Sequence, residues 1–462
     1  MESIAAAVRR VLGSPGFKFF LICGLVLLLA IPLLLVWSLI EEREHRAEGV
    51  QADVAREWGG NQAITGPVLI VPYTVRRVRT EGDKRIEDLV EKRAVFLPET
   101  LNINGKAATK VLHRSIYDVA VYTAALEFEG RFDVSDIGEV ENDVQSVRWQ
   151  DSILALAIND VSGLKATASV FIEGSTKLPF EPSLGVTVDR LNGIHARLAG
   201  AAALFPSGAD TSTAPPPTMQ AFAFKFGLTL NGSSLLTFAP VARETTVDLS
   251  SDWPDPSFVG AFLPTDRVIN PAMFSARWQV PHLARSVPQA WSLDNQGLMR
   301  MSEYAFGVRF IVPVDFYQIV ARAAKYAMMF LATAFIAVFV LELRSAHAVH
   351  PVQYMFVGLA MAFFYVLLLS FAEQIGFLSS YLIASVATAS LISSYVGRVQ
   401  HSALKGLIML AVLALLYGLL YLILQLEDYA LLVGAIAGFL MLAAVMFGTL
   451  RVNWSGREAS KS

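Results

Sequence analysis

HPVQYMFVGLAMAFFYVLLLSFAE, residues 350–373, is the most informative stretch of this sequence. It opens on His-Pro, continues with a long run of mostly apolar residues, and closes on Glu373. About twenty such residues, at about 1.5 Å each, cross the roughly 30 Å of hydrocarbon in a bilayer. The stretch therefore predicts a transmembrane helix. It also raises the question of why that helix ends on a carboxylate, since helix C-termini and hydrocarbon both disfavour negative charge.

Similar apolar runs occur near the N-terminus and throughout the last third of this 462-residue chain, which is 54% apolar. Any one run alone could be a buried core helix of a soluble protein. Six runs, four of them nearly consecutive, favour membrane insertion instead. The sequence predicts six spans, near residues 17–40, 326–343, 352–372, 375–396, 404–425 and 429–450.

The Lys and Arg residues of the short loops predict the orientation of these spans. They lie before the first span, after the second and fourth, and after the last. Positive charge in short loops marks the cytoplasmic side, so we expect both termini in the cytoplasm. The predicted organisation is a cytoplasmic N-terminus (1–16), an anchor helix (17–40), a periplasmic domain (41–323), a five-helix bundle (324–450) and a cytoplasmic tail (451–462).

The first span resembles a signal peptide in its basic start and apolar middle. It is too long for one, and the charged segment after it has no small-residue cleavage site, so an uncleaved anchor is favoured. Pro32 is expected to kink this helix without ending it. The charged segment EEREHRAEGVQADVAREW is expected to continue the helix as far as Gly59 and Gly60.

The middle of the chain shows a period of two in place of the helical period. FAFKFGLTL, residues 222–230, alternates apolar and small or polar residues as a half-buried strand does. Asn231-Gly232 follows it and predicts a hairpin turn, as do Asn104-Gly105 and Asn192-Gly193. The sequence predicts a mostly antiparallel, sandwich-like β domain. The Pro-rich segment 206–218 is its expected subdomain boundary.

Composition excludes several classes of function. The single cysteine, Cys23, allows no disulfide within the chain. Residues 41–323 carry more Asp and Glu than Lys and Arg, which argues against nucleic-acid binding. The chain has no phosphate-loop, dinucleotide-binding, nucleophile-elbow or zinc-protease motif. We therefore expect no cofactor and no metal, and no catalytic residue can be assigned.

Other polar or small residues of the predicted bundle have a structural interpretation beside a functional one. His347 and His350, with Glu342, would be a poor metal set, and Pro351 at a first helical turn explains His-Pro more simply. The hydroxyls of the fourth span suit a polar path, but helix packing is favoured. Gly434 and Gly438 form a GxxxG sequence that predicts close packing within the bundle, with homodimerisation as the alternative.

Glu373 has two interpretations. In the first it is solvated at the outer interface, which sequence reasoning favours. In the second it faces the bundle and couples the helices to the domain above. The candidate partners entering from the same side are Asp315, Arg322 and Lys325. The tryptophans of the middle domain also have two interpretations: they stack on sugar rings, or they are buried in the core, which is more common.

Several stretches together carry a family likeness. They include REWGGNQAITGPVLIVPY, WPDPSFVGAFLP, FSARWQVPHLARSVPQAW, GVRFIVPVDFYQ, RAAKYAMMFLATAF and VHPVQYMFVGLAMAFFYVLLLSFAEQIGF. From about residue 50 to 425 the chain resembles the CreD family of bacterial inner-membrane proteins. The resemblance implies an integral protein of the Gram-negative inner membrane, associated with cell-envelope integrity and with a two-component regulon responding to carbon source and wall stress. It supplies no catalytic residues, but makes His350, Gln353 and Glu373 parts of a signature motif.

These observations predict a non-enzymatic inner-membrane protein of envelope maintenance and envelope stress. Its expected partners are the lipid bilayer and another envelope protein or cell-wall component, and a homo-oligomer is compatible with the sequence. The alternative is a transporter or flippase-like protein that moves a lipid or small solute, motivated by the hydroxyls and Glu373. A periplasmic hydrolase on a membrane tether, using His113, His195 or His282, is a weaker third class.

Overall fold

The computed structural model describes residues 15–449, except for 82–83, 115–116, 135–136, 189–190, 206–218, 294–296, 311–315, 344–348 and 427–428. The chain divides into two compact units. Residues 49–313 form one unit, and residues 1–48 and 314–462 form the other. The first is shorter than the predicted domain of residues 41–323, because residues 41–48 and 314–323 are grouped with the second.

Helices account for most of the second unit. The α-helices of the chain are α1 Pro15–Leu28, α2 Ala30–Trp58, α3 Gly297–Glu303, α4 Phe316–Lys325, α5 Ala327–Leu343, α6 Pro351–Ile375, α7 Phe377–Val399, α8 Ala403–Gln425 and α9 Ala430–Thr449. The helical continuation of the first span is confirmed, since α2 runs through the charged segment to Trp58. The break at Leu29 lies one turn before Pro32, where proline removes the amide that would bond to Leu28.

Four helical segments are long and apolar enough to cross a membrane: Gly16–Trp58, which combines α1 and α2, and helices α6, α7 and α8. Helices α4 and α5 meet this criterion together, but are bent by 47° at their junction. In α9 the apolar stretch found among the described residues is shorter, Leu432–Ala443. The chain is therefore a membrane protein with several apolar helices, and the described part contains four candidate spans, or five with the bent pair.

The turn between α6 and α7 is a single residue, Gly376. Its φ of 79° lies in the left-handed region that favours glycine. A two-helix hairpin with so short a connection places the C-terminus of α6 beside the N-terminus of α7. Glu373 lies three residues before Gly376, which puts its carboxylate near the turn.

The first unit is built mainly from strands. In chain order these are β1 Gln62–Glu81, β2 Lys84–Phe96, β3 Thr100–Arg114, β4 Tyr117–Phe132, β5 Val144–Val147, β6 Ile153–Ile158, β7 Ser169–Ile172, β8 Thr176–Pro179, β9 Glu181–Pro182, β10 Gly193–Arg197, β11 Phe222–Ser233, β12 Leu235–Phe238, β13 Glu244–Ser251, β14 Pro256–Gly260, β15 Asp266–Asn270, β16 Met273–Pro281, β17 Ala290–Ser292 and β18 Phe306–Phe310.

These strands form two sheets. The eight-stranded sheet has the order β15-β16-β13-β3-β4-β11-β7-β8. The ten-stranded sheet follows the order β14-β18-β12-β1-β6-β10-β9, with β2 and β5 also pairing with β1 and β17 pairing with β2. Pairing is antiparallel except between β1 and β12 and between β13 and β3. The large, mostly β region is therefore confirmed, and it is mostly antiparallel.

One hydrophobic core joins the two sheets. Along β11 the inward residues alternate with exposed ones, which confirms the period read from FAFKFGLTL. Aromatic rings meet across the sheets: Tyr122 lies 4.8 Å from Phe310, and Trp278 lies 5.6 Å from Phe306. Burying large aromatic side chains supplies much of the stability of such a core. The unit is a sandwich, because its two sheets pack around one shared core.

Residues 206–218, the expected subdomain boundary, lie outside the described residues. Before this segment the chain contributes β3, β4, β7 and β8 to the eight-stranded sheet, and after it β11, β13, β15 and β16. Strands on both sides also enter the ten-stranded sheet. Both halves of the chain thus share the same two sheets and the same core.

The hairpin turns predicted at Asn231-Gly232 and Asn104-Gly105 are wrong. Asn231 and Gly232 lie inside β11 and pair with Thr123 and Tyr122 of β4. Asn104-Gly105 likewise lies inside β3. A Cβ atom on Gly232 would lie 2.3 Å from the Tyr122 hydroxyl oxygen, so glycine serves close packing here. The chain leaves the sheet at Ser234, with φ of 53°, and β12 joins the other sheet.

Tyr122 gives a pH-dependent prediction. Its hydroxyl donates to the Leu235 carbonyl oxygen at 2.6 Å, and burial raises its pKa well above 10.0. The unfolded hydroxyl ionises near pH 10 while the folded one keeps its proton. Its stabilising contribution is therefore complete below pH 10 and is lost above it, by about 1.4 kcal/mol per pH unit.

We expect Tyr122→Phe to weaken the decline in unfolding free energy above pH 10, measured by denaturant titration at several alkaline pH values. Tyr304→Phe is the control, because the Tyr304 hydroxyl accepts a hydrogen bond from the Ser286 amide, which lowers its pKa. An alkaline decline of unchanged slope in Tyr122→Phe would contradict the prediction.

Candidate functional site

Helix α6 begins with a complete cap. His350 is the N-cap residue, and its Nδ1 atom accepts a hydrogen bond from the Val352 amide at 3.3 Å. The Gln353 side chain in turn accepts from the His350 amide at 2.8 Å, and Pro351 occupies the first turn. This reciprocal arrangement is a capping box. It gives the His-Pro-Val-Gln motif a local structural role.

A buried carboxylate lies at this same end of the bundle. Glu342, near the end of α5, is 8% exposed. Its Oε1 atom pairs with the Lys18 ammonium and accepts from the Val349 amide at 3.0 Å. Its Oε2 atom accepts from the Tyr354 hydroxyl at 2.8 Å. Both carboxylate oxygens are therefore satisfied, as a buried charge requires.

This Glu342 cluster, defined as Lys18, Glu342, Val349 and Tyr354, joins three helices. Lys18 comes from α1, Glu342 from α5 and Tyr354 from α6, while Lys18 also donates to the Val349 carbonyl oxygen at 2.7 Å. Charged groups near hydrocarbon are costly unless paired, so such a cluster strongly favours one arrangement of the helices. From the sequence, Glu342 is considered only as a weak metal ligand, and its pairing with Lys18 is missed.

Glu373, at the other end of α6, is also largely buried. Its side chain is 10% exposed. The Tyr317 hydroxyl of α4 donates to Oε1 at 3.1 Å, and the Arg43 guanidinium of α2 lies 3.7 Å from Oε2. Arg43 and Tyr317 thus offset the charge that the helix C-terminus disfavours. The carboxylate faces the bundle, so the favoured expectation that it is simply solvated does not describe its surroundings.

The structure places the predicted partners of Glu373 as follows. Asp315 lies outside the described residues. Arg322 is half-buried on α4, five residues after Tyr317. The Lys325 ammonium lies 5.7 Å from the centre of the Trp37 ring. The ion pair comes instead from Arg43, and the sequence signal that could have found this partner is its place just beyond the first span.

The Glu342 cluster and the Arg43–Glu373 ion pair hold the first span against the two ends of α6. Lys18 and Arg43 are 25 residues apart, about 37 Å along a helix, which slightly exceeds the hydrocarbon thickness of roughly 30 Å. Lys18 meets Glu342 beside the start of α6, and Arg43 meets Glu373 at its end. The first span and α6 therefore run in the same direction, with their charges near the two borders of the apolar layer.

Five serine and threonine hydroxyls of α7 donate to backbone carbonyls of their own helix or of its N-cap residue. The Ser380 hydroxyl donates to the Gly376 carbonyl oxygen at 2.6 Å, and that of Thr388 to the Ala384 carbonyl oxygen at 2.7 Å. Those of Ser385, Ser393 and Ser394 likewise donate to carbonyl oxygens three residues earlier. Hydroxyls that are satisfied in this way do not need a polar path beside the helix.

Gly434 and Gly438 of α9 lie against other residues of the same unit. A Cβ atom on Gly434 would lie 3.2 Å from the Tyr326 ring, and one on Gly438 would lie 3.5 Å from the Met329 sulfur. The small residues let α9 approach the start of α5 closely. The structure thus shows a packing partner for the GxxxG sequence within one chain.

The histidines proposed for a hydrolase are not arranged around a nucleophile in the described residues. His113 faces Asp118, and the buried His195 bonds to the backbone oxygen of Ser183. Neither histidine hydrogen-bonds to a serine hydroxyl among the described residues. His282 begins a short 3-10 helix. The described residues also contain no group of three or more His, Cys, Asp or Glu that could hold a metal ion, and His347 lies outside them.

The β unit carries a concave polar surface on the outer face of its eight-stranded sheet. This groove has a volume of about 600 Å³. Strand register places Asp266, Arg277, Asp248, Asn104 and Glu127 side by side across five strands. The Arg277 guanidinium bonds to both oxygens of Asp248, at 2.6 and 3.1 Å, and this contact raises its pKa. A row of charged and amide side chains therefore forms one side of the groove.

The floor beside this row is made of smaller side chains. Val268, Ser275, Ser250 and Ala125 occupy the next positions along four of the same strands, and Lys106 stands among them on β3. The lining contains three basic residues and three acidic ones. Its net charge is therefore close to zero, which suits an uncharged or zwitterionic polar ligand better than a polyanion.

The fold and these sites define a class: a multi-pass membrane protein whose first span is ion-paired to a helical bundle and whose chain also forms a large β-sandwich. Comparison with known proteins identifies the family. The family model described as "Inner membrane protein CreD" matches residues 14–455. The "Inner membrane protein CreD" of Escherichia coli (strain K12) is 30% identical over 444 residues, which cover 96% of this chain and 94% of that protein. The chain belongs to the CreD family.

Proposed function

We propose that this protein maintains the cell envelope without enzymatic activity, by binding an envelope component through the groove of its β domain or by influencing a sensor protein. In this proposal it crosses the inner membrane six times, with both termini in the cytoplasm and the β domain in the periplasm. The family resemblance supports the envelope role, and the loop charges support the orientation.

The observation that carries the proposal is the contrast between the two units. The groove of the β domain measures about 600 Å³, within the usual range of small-molecule sites. Two cavities between the helices measure about 10 Å³ each, about the space of one water molecule. Five serine and threonine hydroxyls of α7 also bond to carbonyls of the same helix or its N-cap residue. These features favour the β domain as the binding part and the bundle as a fixed support.

Filling the groove tests the proposal. Ala125 is exposed on its floor, so Ala125→Trp is expected to block it without entering the core. Ala108 is exposed on the same sheet but does not line the groove, and Ala108→Trp is the matched control. We expect Ala125→Trp to lose complementation of a deletion strain under detergent or β-lactam stress, and Ala108→Trp to retain it at equal protein level. Full rescue by Ala125→Trp would refute the groove as the working site.

The Glu373→Gln variant, in the same complementation assay, distinguishes the proposed function from the transporter alternative. The proposed function predicts that growth follows protein level in this variant, because Glu373 acts through its contacts with Arg43 and Tyr317. A transporter that uses the carboxylate predicts loss of growth at a normal protein level.

Topology is tested independently, since protease added to spheroplasts is expected to degrade the β domain.

A further inference from the structure

Strand β15, residues Asp266–Asn270, is an exposed edge of the eight-stranded sheet. It pairs with β16 on one side, and in the described chain its other side meets no strand. All five of its residues are exposed, with Val268 57% and Ile269 48% exposed. An edge with free backbone amides and carbonyls and apolar side chains is a template for another strand.

Several other sheet edges among the described residues are protected. β8 ends in Pro179, β9 has two residues including Pro182, and β14 begins with Pro256. β17 has three residues, all half-buried. Short edge strands and proline are the usual means by which proteins prevent unwanted pairing. β15 combines full exposure with a proline-free strand, which sets it apart from these edges.

We propose that β15 is a homodimer interface, in which the β15 strands of two copies pair antiparallel across a two-fold axis at Val268. Val268 then faces its own symmetry mate, Asp266 faces Asn270, and Arg267 faces Ile269. A carboxylate beside an amide and an aliphatic arginine stem beside isoleucine are compatible pairs, and no like charges oppose each other. The strand is thus complementary to itself, as a two-fold interface requires.

A ladder of five residues is a small interface for two freely diffusing proteins. Both copies of this chain are held in one membrane, however, which raises their effective concentration. The two eight-stranded sheets would become one continuous sheet, with a groove on each side of the axis. This inference does not depend on what the groove binds, and an empty groove would leave the dimer unaffected.

The experiment is thiol cross-linking of the full chain in inner-membrane vesicles. Cys23→Ser removes the single native thiol, and Val268→Cys places a new one on the proposed axis. Lys177→Cys, exposed on β8 at the opposite edge of the same sheet, is the control. A short bis-maleimide is expected to convert the Val268→Cys chain to a band of twice the monomer mass, and to leave the Lys177→Cys chain monomeric.

A second variant tests the interface without a cross-linker. Val268→Lys would place two like charges on the axis, and the exposure of this position means that folding is not affected. Native mass measurement in lipid nanodiscs is expected to shift from dimer to monomer for Val268→Lys and to stay dimeric for Val268→Thr. A dimer that persists in Val268→Lys would overturn the proposal. The proposal would also be overturned if the cross-linked Val268→Cys band contained a different protein in place of a second copy. It would equally be overturned if aqueous maleimide could not label the Val268→Cys thiol because lipid covers it.

Discussion

Glu342→Leu is expected to lower the free energy of unfolding of the helical bundle by about 3–5 kcal/mol, the usual cost of removing one partner of a buried ion pair. The substitution leaves the Lys18 ammonium without its carboxylate and removes the acceptor of the Tyr354 hydroxyl and the Val349 amide. Reversible unfolding in mixed micelles measures the loss. Glu48→Leu is the control, because the Glu48 side chain is 66% exposed.

Two further variants identify the cause. Glu342→Gln keeps an acceptor for Tyr354 but removes the charge, so it isolates the ion pair. The double variant Lys18→Met with Glu342→Leu removes both charges, and we expect it to be more stable than Glu342→Leu alone, since no unpaired charge remains. Equal stability of Glu342→Leu and the wild-type chain would show that the Glu342 cluster does not stabilise the helix arrangement.

Gly358→Leu is expected to separate the first span from α6. A Cβ atom on Gly358 would lie 2.2 Å from the Leu29 side chain and 2.9 Å from the Phe335 ring, so a larger residue has no room. Overpacking of this kind typically costs about 1–3 kcal/mol, and here it acts where the anchor meets the bundle. We expect lower thermal stability in detergent and a smaller yield of folded protein.

Gly418→Leu is the matched control for this prediction. Gly418 also lies inside a long apolar helix, α8, but a Cβ atom there would meet nothing within 4 Å. Leucine has a higher helix propensity than glycine, so Gly418→Leu is expected to match or exceed wild-type stability. Equal effects of the two substitutions would show that Gly358 does not mark a tight contact between the first span and α6.

The apolar helices and the β domain could be predicted because their signals are local. A run of about twenty apolar residues has few alternatives to a membrane span, and FAFKFGLTL has the period of a half-buried strand. The continuation of α2 to Trp58 and the start of α6 at Pro351 follow from residues next to one another. Each of these features depends on chain neighbours, whose spacing the sequence states directly.

The polar contacts of the bundle could not be predicted in this way. Lys18 and Glu342 are 324 residues apart, and Tyr317 and Glu373 are 56 apart. No sequence period relates such positions, so the sequence indicates partners of Glu373 only by the side from which charges enter the membrane, as for Arg322 and Lys325. The sequence shows only that the Glu373 carboxylate stands at a helix end. Its burial results from α2 and α4 packing around it.

The Asn-Gly pairs show the same limit inside the β domain. Glycine between two strand-like runs is the local signature of a turn. Gly232 nevertheless stays in β11, because the Tyr122 ring fills the space where a side chain would stand. Local sequence was enough to assign helices, strands and apolar faces, since these depend on neighbouring residues. Only the tertiary structure showed which distant groups meet, such as Lys18 with Glu342 or Arg43 with Glu373. Long-range packing brings these groups together, and no local pattern records it.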